Sequence, residues 1–167
     1  DLTCADNQLL RLQIADLVAE IDDAAFYANP LGDSLAPATF VDRIEVPVYL
    51  TGAWQDEQTG SRFALMLGGF TSSPHVRFNL FNGHHPDGYS PMVVTRWYEF
   101  LSFHVARRVP AVNELIRSFA PLQFAEVFGV MQELEADRFG DLVESDLSEH
   151  DAFEAAFARY TAEPPVR

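Results

Sequence analysis

The chain contains no lysine: all 11 basic residues are arginines, they face 25 acidic ones, and the formal net charge is -14. Nucleic acid is therefore not an expected partner, because a phosphate backbone is held by a basic patch that this chain does not supply. The acidity reads as a solvated surface, and the Ala/Arg/Asp/Glu-rich composition points to a GC-rich or salt-adapted source. Cysteine is nearly absent: Cys4 stands alone, which excludes an intrachain disulfide framework and a cysteine metal cluster, and it reads as a small packed residue. No apolar run approaches the roughly 18 residues that span a bilayer, so no membrane is expected. The N-terminus lacks a basic region followed by an apolar one. Composition does not fix the compartment; the cytoplasm is favoured over secretion. There is no internal repeat and no low-complexity tract.

Against these absences stands a chain of 167 residues, 48% of them hydrophobic, enough for one ordinary domain with its own core. Residues 4–21 place Leu9, Leu12, Leu17 and Ile21 at helical intervals with acids between them. NPLGDSLAP, from Asn29 to Pro37, breaks that pattern. VPVYLTG, from Val46 to Gly52, reads as a strand buried on both faces of a parallel sheet. TGSRFALMLGGF, from Thr59 to Phe70, predicts a helix closed by Gly68 and Gly69. VRFNLFN, from Val76 to Asn82, predicts a second strand, and Met92 to Arg108 a long helix stopped by Pro110. Strand, helix, strand, helix is a βαβ unit, so the expected fold class is α/β. VNELIRSFA, FAEVFGVMQELEADRF and LSEHDAFEAAFARY read as acidic helices with a solvated outer face after residue 126.

Reactive groups in open α/β sheets sit in loops past the carboxyl ends of strands. The first strand runs into GAWQDEQTG, which carries Asp56 and Glu57; the second runs into NGHHPDG, which carries His84 and His85. Adjacent parallel strands bring an acid and an imidazole side by side, the Asp-then-His half of a triad whose chain order is Ser, Asp or Glu, His. The carboxylate would fix the imidazole tautomer, and the imidazole would take the nucleophile's proton. Spacing leaves open which histidine faces the acid. Glu57 reads as a solvent-facing or helix-start acid. Trp54 reads as packing beneath the acid loop or lining a substrate pocket. His84, His85 and Asp87 are a weaker metal reading, since adjacent histidines seldom reach one ion and no H-E-x-x-H pair supports them. His104 and His150 read as structural, and Trp97, Tyr98, Phe100 and Phe103 as helix packing.

IEVPVYLTGAWQDEQTG resembles the strand and acid loop, I-x-V-P-x-L-x-x-G-x-W-x-D, of the X-prolyl dipeptidyl-peptidase-like hydrolases, the group that includes cocaine esterase. Tyr49 fills a position there often small or aliphatic. FNGHHPDGY is similar to the family's G-x-H histidine loop, TCADNQLLRLQ to part of its helical cap, and EPPVR to the lead into its C-terminal β-sandwich. The resemblance is strongest over residues 36–110. It implies Asp56 as triad acid and His85, third in G-x-H, as base, with His84 the competing assignment. It implies no cofactor, and an ester or X-Pro-type peptide as the small-molecule substrate.

The departure from that pattern is an absence: no G-x-S-x-G occurs, and no serine sits at a strand-to-helix elbow. The expected fold is thus a fragment of an α/β-hydrolase sheet with a helix-rich cap and flanking helices. Residues 1–40 would be part of the cap and 41–110 the C-terminal βαβα part of the core. Residues 111–160 would form an acidic helical region, and 161–167 a linker toward a further domain. The expected function is the acid- and base-supplying segment of a serine hydrolase, inactive alone and partnered by the remainder of its enzyme or by a second copy. The alternative is a non-catalytic helical interaction or scaffold domain that retains a hydrolase-like βαβ unit.

Overall fold

The computed structural model describes residues 36–166, together with Ala19, Asp22, Asp23, Asp33 and Ser34. The expectations for Cys4, for the 4–21 helix and for most of the 29–37 breaker, and with them the cap, lie outside the described residues. Two compact units divide the chain, Asp1–Thr39 and Phe40–Arg167. In the first, a 3-10 turn at Pro37–Thr39 is closed by the Thr39 hydroxyl, which donates to the carbonyls of Asp33 (2.9 Å) and Ala36 (2.7 Å).

The second unit is mixed helix and strand around a two-stranded parallel sheet. Strand β1 (Val48–Ala53) pairs with β2 (Val76–Phe81), with Val48 opposite Val76 and Ala53 opposite Phe81. β1 starts two residues later than the sequence predicts. Pro47 has no N–H to give, and the first rung is the Val48 N–H to the His75 carbonyl, 2.9 Å. The expectation that β1 is buried on both faces is corrected. Thr51 is exposed and only Gly52 and Ala53 are buried. The C-terminal residues lie along the far side of β2, where Phe78 N–H donates to the Pro165 carbonyl (2.7 Å) and Phe78 bridges to Val166.

The crossover is a ten-residue 3-10 helix, Gly60–Gly69, not the predicted α-helix. Three of its ten residues are glycines, which lowers α-propensity, and one of them is needed for contact. A Cβ on Gly69 would lie 2.7 Å from the Val41 side chain, which is itself buried.

After a short 3-10 turn at His85–Tyr89, helix α1 (Pro91–Leu101) runs into a π-turn at Ser102–Ala106. The predicted single helix to Arg108 thus changes pitch and ends at Arg107, whose φ of 55° is left-handed. The wider turn lets Phe100, Phe103 and His104 all meet aromatic neighbours. Trp97, expected to pack, is 51% exposed.

Helix α2 (Glu114–Phe128) starts on the Asn113 side chain, which accepts from Leu115 N–H, and stops at Gly129, φ 71°. The helix predicted to continue through Phe139 therefore ends early, because Gly129 takes the left-handed cap. α2 buries Phe124 but leaves Leu115, Ile116, Phe119, Leu122 and Val127 exposed. Helix α3 is a single turn, Gly140–Val143; α4 (Glu149–Thr161) is capped by Ser148. The solvated-face reading is corrected for α4, which buries Ala152, Phe153, Ala156 and Tyr160. Phe153, Ala156 and Tyr160 pack with Phe103 and Phe139 as the core cluster, so the π-turn and α4 hold each other. Burying large side chains of this kind contributes about 1.5–3 kcal/mol each.

Candidate active site

β1 and β2 end side by side, and backbone bonds continue past them: Trp54 N–H donates to Phe81 carbonyl (3.0 Å) and Gln55 N–H to Gly83 carbonyl (3.1 Å). The acid loop and the histidine loop are therefore joined before any side chain acts.

Asp56 is held from both sides. Its Oδ1 accepts the peptide N–H groups of Gln58 (2.8 Å) and Thr59 (2.7 Å), a local turn that opens the 3-10 helix. Its Oδ2 lies 2.8 Å from His85 Nδ1. The Thr59 N–H, then the His85 ring, hold this carboxyl well below the usual carboxylate value of 3.8. An ionised carboxylate only accepts, so Nδ1 carries the proton and the lone pair sits on Nε2. The Asp56 side chain is 10% exposed and that of His85 49%, so the carboxylate is screened while the ring stays open to a reaction partner.

The His85 peptide is fixed as well: its N–H donates to Glu57 Oε2 at 3.1 Å. That bond holds the Glu57 carboxyl below its ordinary value. Glu57 is exposed, and the sequence reading of it as a solvent-facing or helix-start acid missed this contact. Its signal was position, since a residue after the acid at one strand end faces the loop of the next.

His84 does not meet Asp56. Its peptide N–H donates to Asp87 Oδ2, 2.7 Å, which caps the His85–Tyr89 turn. Gly83 permits that turn, since a Cβ there would stand 2.6 Å from the Asp87 carboxylate. Asp87 is thus a loop clamp. Among the described residues no group of three or more His, Cys, Asp or Glu side chains is placed to hold a metal ion. Trp54 is 46% exposed and packs on Phe63, ring centroids 5.3 Å apart, so it flanks the acid loop instead of lying beneath it.

Among the described residues no hydroxyl or thiol hydrogen-bonds to His85. His104 lies far along the chain in an aromatic nest of Phe100 (4.7 Å), His75 (5.3 Å) and Phe157 (5.5 Å). Desolvation, then His75, Arg77 and Arg107, push its pKa down to about 4.

Comparison of the chain with models of protein families, with curated proteins and with solved structures found no match. Among the described residues no helix is long and apolar enough to cross a membrane.

Proposed function

We propose that Asp56 and His85 are the acid and base of a serine-hydrolase triad whose nucleophile is supplied by polypeptide outside these 167 residues. The observation that carries this reading is the 2.8 Å contact between Asp56 Oδ2 and His85 Nδ1 at the carboxyl ends of two adjacent parallel strands. Asp56 fixes the tautomer and stabilises the imidazolium; Nε2 takes the hydroxyl proton as the serine attacks an ester or X-Pro-type amide carbonyl. The imidazolium then returns that proton to the leaving group, and water hydrolyses the acyl ester by the same route. The resemblance of the acid and histidine loops to X-prolyl dipeptidyl-peptidase-like enzymes agrees with that chemistry, which needs no cofactor.

A second reading is a non-catalytic interaction domain. The apolar residues exposed along α2 favour it, because contiguous apolar surface of this kind marks contact with another polypeptide. One experiment separates the two. The chain is expressed together with its upstream coding sequence and assayed on a p-nitrophenyl ester, with and without His85→Ala. Activity lost in His85→Ala supports the triad. Equal activity in the two proteins removes His85 from the mechanism, and no activity in either favours the interaction domain.

A further inference from the structure

A groove of about 440 Å³ lies between α1 and the start of α2, with Val94, Val112, Ile116 and Leu134 among its lining residues. That volume falls in the range of small-molecule sites, and none of Asp56, Glu57, His84 or His85 lines it. A ligand held there goes beyond the acid–base reading of those residues.

The polar side chains of the wall are engaged locally. The Thr95 hydroxyl donates to the Pro91 carbonyl (2.7 Å), and Asn113 Oδ1 accepts from Leu115 N–H (2.8 Å). Arg108 is the one charged residue among those that line the groove. In a chain of 25 acids and 11 arginines a guanidinium readily finds a carboxylate, and Arg96, Arg117, Arg138 and Arg159 each hold one. Arg108 does not: among the described residues it has no carboxylate at ion-pair distance. The acids that follow Leu134 are already taken, Glu135 by Arg96 at 2.8 Å and Asp137 by Arg117 at 3.0 Å.

Arg108 is nonetheless held in place. Its N–H donates to the Ser102 carbonyl (3.1 Å), and its Nη2 to the Tyr98 hydroxyl (3.4 Å), which in turn donates to the Ala111 carbonyl (2.7 Å). The neighbouring Arg107, with its φ of 55°, carries its own guanidinium over the Phe153 ring at 4.7 Å and does not line the groove. One anchored guanidinium beside an apolar wall matches a planar carboxylate on a hydrocarbon chain, because the fork binds the head and the wall takes the chain out of water. We infer that this groove binds an amphipathic monocarboxylate, its carboxylate on Arg108 and its hydrocarbon chain against Val94, Val112, Ile116 and Leu134. A single lining cation balances a single negative charge, which favours a carboxylate over a phosphate dianion.

The test titrates the full chain with octanoate, octanol and acetate, followed by its amide spectrum. Octanoate is expected to bind saturably and about tenfold or more tighter than octanol, the increment of a charge-assisted pair, with acetate weaker than either. Arg108→Gln, at an exposed position, should bind octanoate no better than octanol, whereas Ile116→Ser should weaken both together. Nuclear Overhauser contacts from the octanoate methylenes are expected at Ile116 and Leu134. Octanol as tight as octanoate, unchanged octanoate affinity in Arg108→Gln, or contacts only elsewhere on the chain overturn the inference. Absence of saturable binding overturns it as well, and sedimentation as a dimer would then give the groove to a second copy of the chain.

Discussion

His85 is held by two consecutive acids at once: its ring Nδ1 by Asp56 Oδ2 at 2.8 Å and its peptide N–H by Glu57 Oε2 at 3.1 Å. The first contact sets the proton on the imidazole, the second sets where the imidazole stands, and the two separate under mutation.

Asp56→Asn removes the charge while keeping the shape. The amide can also donate, so the Nδ1–H tautomer loses its preference. The 15N spectrum of His85 near pH 8 is expected to show Nδ1 protonated in the unaltered chain and a mixture of tautomers in the variant. If the proposed triad holds, ester hydrolysis by the chain expressed with its upstream coding sequence should fall by about 10³–10⁴-fold in this variant.

Glu57→Ala frees the His85 peptide, whereas Glu57→Gln keeps an acceptor in the same place. Hydrogen exchange at the His85 amide should quicken in the alanine variant and change little in the glutamine one. Global stability should change little in both, because Glu57 is exposed.

His104 predicts an acid-sensitive window. The folded state holds this ring neutral, with pKa about 4 against 6.5 for the free side chain, so the unfolded chain binds the proton first. The stability His104 contributes is complete above pH 6.5 and is lost as pH falls toward 4. The loss should be on the order of 1 kcal/mol, given the ring's partial exposure. Melting curves at pH 7 and pH 4.5 should converge for His104→Phe relative to the unaltered chain.

Glu99 bridges Arg96 and Arg138 from a nearly sealed position. Glu99→Ala takes away the buried carboxylate that Arg96 and Arg138 share, leaving each with only its outer partner, Glu135 or Glu163, and should cost about 3 kcal/mol, read from urea midpoints. Asp141→Asn removes the partner of Arg159 at the surface and should leave the urea midpoint nearly unchanged.

Gly52 is pressed against Phe63: a Cβ there would lie 2.2 Å from the ring. Gly52→Ala must push that ring into Trp54, its neighbour at 5.3 Å, and should lower stability by about 1–3 kcal/mol. Trp54 fluorescence should shift with it.

The strands were legible because Pro47 and the glycine-rich loops bound two short apolar runs whose residues pack only as strands. The meeting of the Asp56 and His85 loops was legible for a related reason: parallel pairing in register brings both carboxyl ends to one edge. Choosing between His84 and His85 was not, since neighbouring loop residues diverge and the Asp87 clamp on His84 is a tertiary fact. The pitch of the helices was hidden as well. The glycines of Gly60–Gly69 weaken an α-helix without specifying a 3-10 one, and the π-turn at Ser102–Ala106 is set by the aromatic packing of Phe103 on α4. Glu99 sat unnoticed in an apolar helix because one of its two partners, Arg138, lies far along the chain and only Arg96 is close in sequence.

The Pro165 carbonyl and Val166 occupy the outer side of β2. Growth of this sheet is therefore vectorial: a strand added beside β2 would meet the residues already seated on Phe78, whereas the rim of Tyr49, Thr51 and Ala53 faces no strand among the described residues. Whatever lengthens the sheet must settle next to the strand that delivers Asp56, two places away from the one that delivers His85.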